Sequence, residues 1–133
     1  RIGAFGAMAL LFLFAVRWQA LLRLSSFPIA ELAACLGISR AALVMQGYVS
    51  RPIGEGLGAA FSADLRWPAA ILVSLQAVGL AFAAGFENGL VLLAGAGFLT
   101  WLLHLWFEAR LGGVNGDCLG ATCLFVETFL LVL

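Results

Sequence analysis

The sequence predicts an all-α, polytopic transmembrane helical bundle of about five spans, and three observations carry that prediction. Hydrophobic residues make up 64% of the chain and charged residues 11%, with a mean hydropathy of +1.10. A water-soluble chain of 133 residues could not bury that much apolar surface. Stretches of about twenty residues carry one charge or none, which is the length a helix needs to cross the hydrocarbon. Short clusters of Gly, Pro, Ser and Asn punctuate these stretches as turns do.

Taken in order, Ile2 to Leu24 forms the first span, closed by a turn at Ser25, Ser26 and Pro28. Pro28 to Val49 forms the second, with proline at its start, where a missing amide proton costs little. Ser50 to Trp67 is the longest polar connection. Pro68 to Phe86 and Gly89 to Phe107 make a helical hairpin around the "ENG" turn, and Asp117 to Leu133 is a last, shorter span. No repeat or linker divides the chain, so residues 1–133 are expected to form one transmembrane domain. The first run is too long for the apolar region of a signal peptide, and the chain lacks an initiator methionine, so it reads as part of a longer protein.

Seven arginines, seven acids and no lysine give zero net charge. That excludes a basic stripe for nucleic acid and a polybasic tail for anionic lipid, and leaves the bilayer as the expected environment. With five spans, the side holding the N-terminus collects Arg1, Arg51, Arg66 and Arg110, against Arg23 and nearby Arg17 on the other. Basic residues near span ends stay cytoplasmic. The N-terminus and the glycine-rich stretch "RLGGVNGDCLGA" are therefore expected to face the cytoplasm.

That stretch is the first candidate for chemistry. Gly112, Gly113, Gly116 and Gly120, with Asn115 among them, let backbone amides approach a phosphate, and the helix that follows offers its N-terminal amides to an anion. Asp117 has two readings: it caps the helix behind it, or it holds a bridging Mg²⁺ against the phosphate, as a hard cation takes carboxylate and phosphate oxygens together. The loop is neither a Walker motif nor a dinucleotide fingerprint.

Arg40 and Glu127 lie inside apolar runs. A charge at the membrane centre costs at least ~2.5 kcal/mol, so such residues face a polar cavity or each other. Their plainer roles are a snorkelling arginine and a carboxyl bonded to a neighbouring helix. His104 and Glu108 share a helical face, which suits a helix pair better than a metal site. Cys35, Cys118 and Cys123 have no CxxC spacing and read as structural thiols.

Three stretches together resemble the cobalamin synthase family, the adenosylcobinamide-GDP ribazoletransferases: "RIGAFGA" (Arg1 to Ala7), "SRAALVMQGYVSRPIGEGLGAAF" (Ser39 to Phe61) and "RLGGVNGDCLGATCLFVE" (Arg110 to Glu127). The resemblance covers this whole chain and about the second half of the family's length. It implies a multi-pass enzyme of the bacterial inner membrane that completes vitamin B12. Such an enzyme transfers adenosylcobinamide phosphate from adenosylcobinamide-GDP to α-ribazole or its 5'-phosphate, releases GMP and requires Mg²⁺. It also implies Asp117 and Glu127 as metal ligands. Asp117, Arg110 and Arg40 are then the catalytic candidates. Gly112, Gly113, Asn115, Gly116, Gly120, Arg1 and Arg51 hold substrate phosphates.

In that family an aspartate-rich segment of the Asp-Gly-Leu-Ala-Asp type lies upstream of the point where this chain begins, and it is expected to supply further metal ligands. Three readings stay open on sequence: the missing half lies on another polypeptide or a second copy, the chain is an inactive remnant, or it is a non-enzymatic membrane subunit or small transporter. In the last, Arg40 and Glu127 line a solute path and the glycines let helices pack closely.

Overall fold

The computed structural model describes residues 4–23 and 29–133. Arg1, expected at the site, and the Ser25–Pro28 turn lie outside the described residues. The rest forms six helices: α1 (Ala4–Arg23), α2 (Ile29–Val49), α3 (Leu57–Asp64), α4 (Trp67–Ala83), α5 (Phe86–Leu111) and α6 (Gly116–Val132). The expected all-α membrane architecture is what is found. α1, α2 and α5 are long and apolar enough to cross a membrane, and a fourth crossing is counted if α3 and α4, bent by 95°, form one span. α6 has 17 residues, about 26 Å at 1.5 Å per residue, a little less than the ~30 Å of hydrocarbon.

Two boundaries differ from the sequence expectation. The Ser50 to Trp67 connection holds a helix of its own, α3, and "ENG" is not the turn between α4 and α5. Ala84 and Gly85 make that turn, with Gly85 at φ 110°, and Glu87 to Gly89 already belong to the first turn of α5. The reason is packing. A Cβ on Gly89 would stand 2.3 Å from the carbonyl oxygen of Ala81, so this glycine serves a close helix crossing rather than a reversal.

α2 lies at the centre, against α4, α5 and α6, whereas α1 packs on α6 alone among the described residues. α2 and α6 run antiparallel: Cys35 Sγ donates to Leu130 O at 3.6 Å, and at the far end Gly47 sits against Leu119. Their core is built from small residues, with Ala34, Ala41, Ala42, Ala77, Ala81 and Ala96 buried together around Ile38 and Val126. Small side chains suit a bundle in lipid, where close contact between helices replaces the hydrophobic drive. A second, smaller cluster of Phe107, Val114, Cys118 and Leu119 closes the end of the bundle beneath the glycine stretch.

This arrangement sorts the polar residues by end. The C-termini of α2 and α5, all of α3 and the N-termini of α4 and α6 meet at the glycine end. At the opposite end Asn88 Nδ2 donates to Glu31 Oε1 at 3.1 Å.

Candidate functional site

Gly112 stops α5. It adopts a left-handed conformation (φ 75°, ψ 13°) that a side chain would resist, and its N–H closes the helix on Glu108 O at 3.1 Å. The chain then runs beside the segment that follows α2. Val114 N–H donates to Arg51 O at 2.8 Å, Ile53 N–H donates to Val114 O at 2.9 Å, and Val114 is fully buried. Gly113 permits this tie, because a Cβ there would fall 2.3 Å from Arg51 O. The two motif stretches are thus joined backbone to backbone.

The tie draws two helix starts together. α3 begins after Gly56 with no side-chain cap, and its first-turn Gly58 faces Gly116, the first residue of α6. A Cβ on Gly58 would lie 2.2 Å from Gly116 Cα and 2.3 Å from Gly116 N. The first amides of any helix lack intrahelical partners. Those of Leu57, Gly58 and Ala59 in α3 and of Gly116 and Asp117 in α6 therefore lie near one another at the glycine end, each at the positive end of its own helix dipole.

Asn115, not Asp117, caps α6. Its Oδ1 accepts from Cys118 N–H at 2.9 Å, while Asp117 sits one residue into the helix and is exposed. The cap falls on Asn115 because the chain is still extended there (φ −120°), and Asp117 is already helical. Arg51 and Arg110 are exposed at the same end. The glycines divide their work differently from the expectation. The Gly112 amide is spent on Glu108, Gly113 allows close backbone approach, Gly116 meets Gly58 with ordinary room for a Cβ of its own, and Gly120, one turn inside α6, has its amide within the helical ladder and open space where a Cβ would be.

Arg40 and Glu127 lie elsewhere. Glu127 is ten residues along α6 from Asp117, about 15 Å at 1.5 Å per residue, so the two do not converge on one ion. Both Glu127 carboxylate oxygens are engaged: Arg17 Nη2 donates to Oε1, and Arg40 Nη1 donates to Oε2 at 2.6 Å. Arg40 also donates to Ser39 Oγ at 3.0 Å and to Leu36 O at 3.2 Å. These are the ion pairs among the described residues, and they tie α1, α2 and α6 together in mid-bundle. No group of three His, Cys, Asp or Glu side chains gathers as a metal cage among the described residues.

Sequence reasoning missed Arg17, whose place inside an apolar run was a readable signal. It also missed the chain from Gln46 to His104. Gln46 Nε2 donates to Ser50 Oγ at 3.0 Å, and Ser50 Oγ lies 2.8 Å from His104 Nδ1. His104 thus bonds across to α2 rather than to Glu108.

The sequence model described as cobalamin-5-phosphate synthase matches residues 1–133. Among similar proteins, the adenosylcobinamide-GDP ribazoletransferase of Ralstonia pickettii (strain 12J) is 31% identical over 138 residues, covering 98% of this chain and 53% of that protein. The protein of the same name from Geobacillus kaustophilus (strain HTA426) is 32% identical, covering 98% of this chain and 53% of its own length. That from Prochlorococcus marinus (strain MIT 9303) is 34% identical, with 99% and 56% covered. The chain spans about half the length of these curated relatives. No solved structure matches. A match along the whole chain, with the two motif stretches joined as one structural unit, places this protein in the cobalamin-5-phosphate synthase family.

Proposed function

We propose that this chain forms the phosphate-handling half of an adenosylcobinamide-GDP ribazoletransferase in the bacterial inner membrane, its glycine end facing the cytoplasm. The observation that carries the reading is the junction of Arg51–Ile53 with Gly113–Val114, which sets the starts of α3 and α6 side by side. A pyrophosphate bridge is the group such a face suits, having several oxygens and a charge to be neutralised. The free amides of Gly58, Gly116 and Asp117 hold its oxygens, while Arg51 and Arg110 stabilise the GMP that leaves. An alcohol of α-ribazole, or of its 5'-phosphate, attacks the phosphorus that carries the cobinamide, and the phosphoanhydride bond breaks. Positioning and charge neutralisation do most of the catalysis, as in other phosphoryl transfers.

Mg²⁺ fits this face in the manner it usually adopts, with one or two carboxylates and otherwise water and substrate phosphate. Asp117 supplies one such carboxylate, exposed and free of ion pairs among the described residues. When bound beside Asp117, such an ion would supply positive charge against the phosphates and Lewis acidity. The positive-inside rule supports the orientation, since Arg51, Arg66 and Arg110 lie at the glycine end. What favours an enzyme over a transporter is that the buried Glu127 is engaged by both Arg17 and Arg40 rather than standing open to a solute path.

GMP release from adenosylcobinamide-GDP and α-ribazole tests the reading. This chain co-expressed with the N-terminal half of a relative is expected to release GMP only when Mg²⁺ is supplied. No GMP from a co-purified, folded pair would overturn it.

A further inference from the structure

Between α2, α4 and α5 lies a cavity of about 370 Å³ that belongs to neither the glycine junction nor the Glu127 cluster. Its size falls within the range of small-ligand pockets, about 300–1,000 Å³. Its walls are apolar, formed by residues such as Ile38, Ala42, Ala77 and Leu93. Two hydroxyls on its wall are satisfied within their own helices: Ser74 Oγ donates to Ala70 O at 2.8 Å and Thr100 Oγ1 donates to Ala96 O at 2.7 Å.

One end is different. Gln46, 1% exposed, lines the cavity with its Oε1 unpartnered among the described residues. Exchanging the two ends of the amide would orphan the nitrogen instead, so this side chain lacks a partner in either orientation. Ser50 Oγ links this amide to the imidazole, lying 2.8 Å from His104 Nδ1. This end therefore brings together an amide with one unpaired atom, on Gln46, and the imidazole of His104. It is also next to the junction, for Ser50 precedes Arg51, whose carbonyl takes the Val114 N–H.

We propose that this cavity seats the acceptor nucleoside, with its flat, apolar base between α2, α4 and α5 and its sugar at Gln46 and His104. The inference rests on the ribazoletransferase reading. α-Ribazole joins an alkylated bicyclic aromatic base to a ribose, which gives it both an apolar body and a hydroxyl end. A lipid chain would fill the apolar walls but bring no partner for Gln46, and an unpaired buried amide group costs about 1–3 kcal/mol. The polar end of the cavity then presents the sugar toward the phosphate-binding face.

Gly97 makes the test clean, because it lines the cavity and nothing stands within 4 Å of where its Cβ would be. α-Ribazole is titrated by equilibrium dialysis against the purified chain in nanodiscs, and against Gly97→Leu, Gln46→Leu and Gly79→Leu. Gly79 is equally uncrowded but does not line the cavity. Gly97→Leu is expected to weaken binding at least tenfold and Gln46→Leu about fivefold, with Gly79→Leu unchanged and melting temperatures similar throughout. Wild-type binding that persists undiminished in Gly97→Leu would overturn the cavity inference and leave the transferase reading standing. Absence of saturable α-ribazole binding by the wild type would also overturn the cavity inference, the transferase reading being judged by GMP release from the completed enzyme. Loss in Gly97→Leu of binding to a short-chain phosphatidylcholine, with α-ribazole unaffected, would give the cavity to lipid.

Discussion

Gly58 and Gly116, in different helices and different motif stretches, meet with no side chain between them: a Cβ on Gly58 would lie 2.2 Å from Gly116 Cα. Gly58→Ala must therefore push α3 away from α6. It is expected to cost about 1–3 kcal/mol, the usual range for an overpacked contact that must shift. Gly120→Ala, where nothing stands within 4 Å, is expected to be neutral or to gain roughly 0.5–1 kcal/mol of helix stability. Thermal unfolding in detergent compares the two, and equal destabilisation would show that the crossing is looser than described.

Asp117 and Asn115 separate capping from chemistry. Because Asn115 makes the cap, Asn115→Ala is expected to lose about 1 kcal/mol of stability, while Asp117→Asn leaves folding almost untouched. In an enzyme completed by its N-terminal half, Asp117→Asn is expected to lower turnover by two or more orders of magnitude and to raise the Mg²⁺ requirement on the order of tenfold. Wild-type GMP release at ordinary Mg²⁺ in Asp117→Asn would remove the ligand role.

The Glu127 cluster predicts an asymmetry. Glu127→Ala breaks both ion pairs at once, leaving the part-buried Arg17 and the exposed Arg40 without a partner, and is expected to cost about 3 kcal/mol. Arg40→Ala leaves Glu127 paired with Arg17 and is expected to cost less, on the order of 1.5–3 kcal/mol. Unfolding of the single and double variants measures the coupling. Equal losses for Glu127→Ala and Arg40→Ala would mean that Arg17 contributes nothing.

Orientation is open to direct labelling. With Cys35, Cys118 and Cys123 replaced, single cysteines at positions 51 and 115 are expected to resist an impermeant thiol reagent in intact cells, and cysteines at 87 and 88 to react. Reaction at 115 from outside would invert the topology and defeat the transferase reading.

The helical architecture was legible because apolar run length is a local property, and the runs around α1, α2 and α5 could be little else in lipid. The turn at Gly85 was not legible, since "ENG" carries the stronger local turn signal and only the contact of Gly89 with Ala81 overrides it. At the site, the glycine stretch was visible as a motif, but its internal division of labour depends on a partner sixty residues away in the chain. Nothing near Gly113 announces Arg51, and nothing near Gly58 announces Gly116. Arg40 and Glu127 were visible as costly intramembrane charges. Their convergence with Arg17 needed the antiparallel packing of α2 on α6 and the docking of α1. Gln46 and Ser50 gave no sequence signal at all, being single polar residues near the end of an apolar helix.

The bend of 95° between α3 and α4 has a mechanical meaning. If α4 runs across the bilayer, α3 must float along its surface, with exposed Leu57 and Phe61 as its keel and exposed Trp67 at the waterline. The bilayer itself then sets the draught of the Gly58–Gly116 contact. That contact then lies at the boundary of the two phases, open to water from above and to the hydrocarbon from the side.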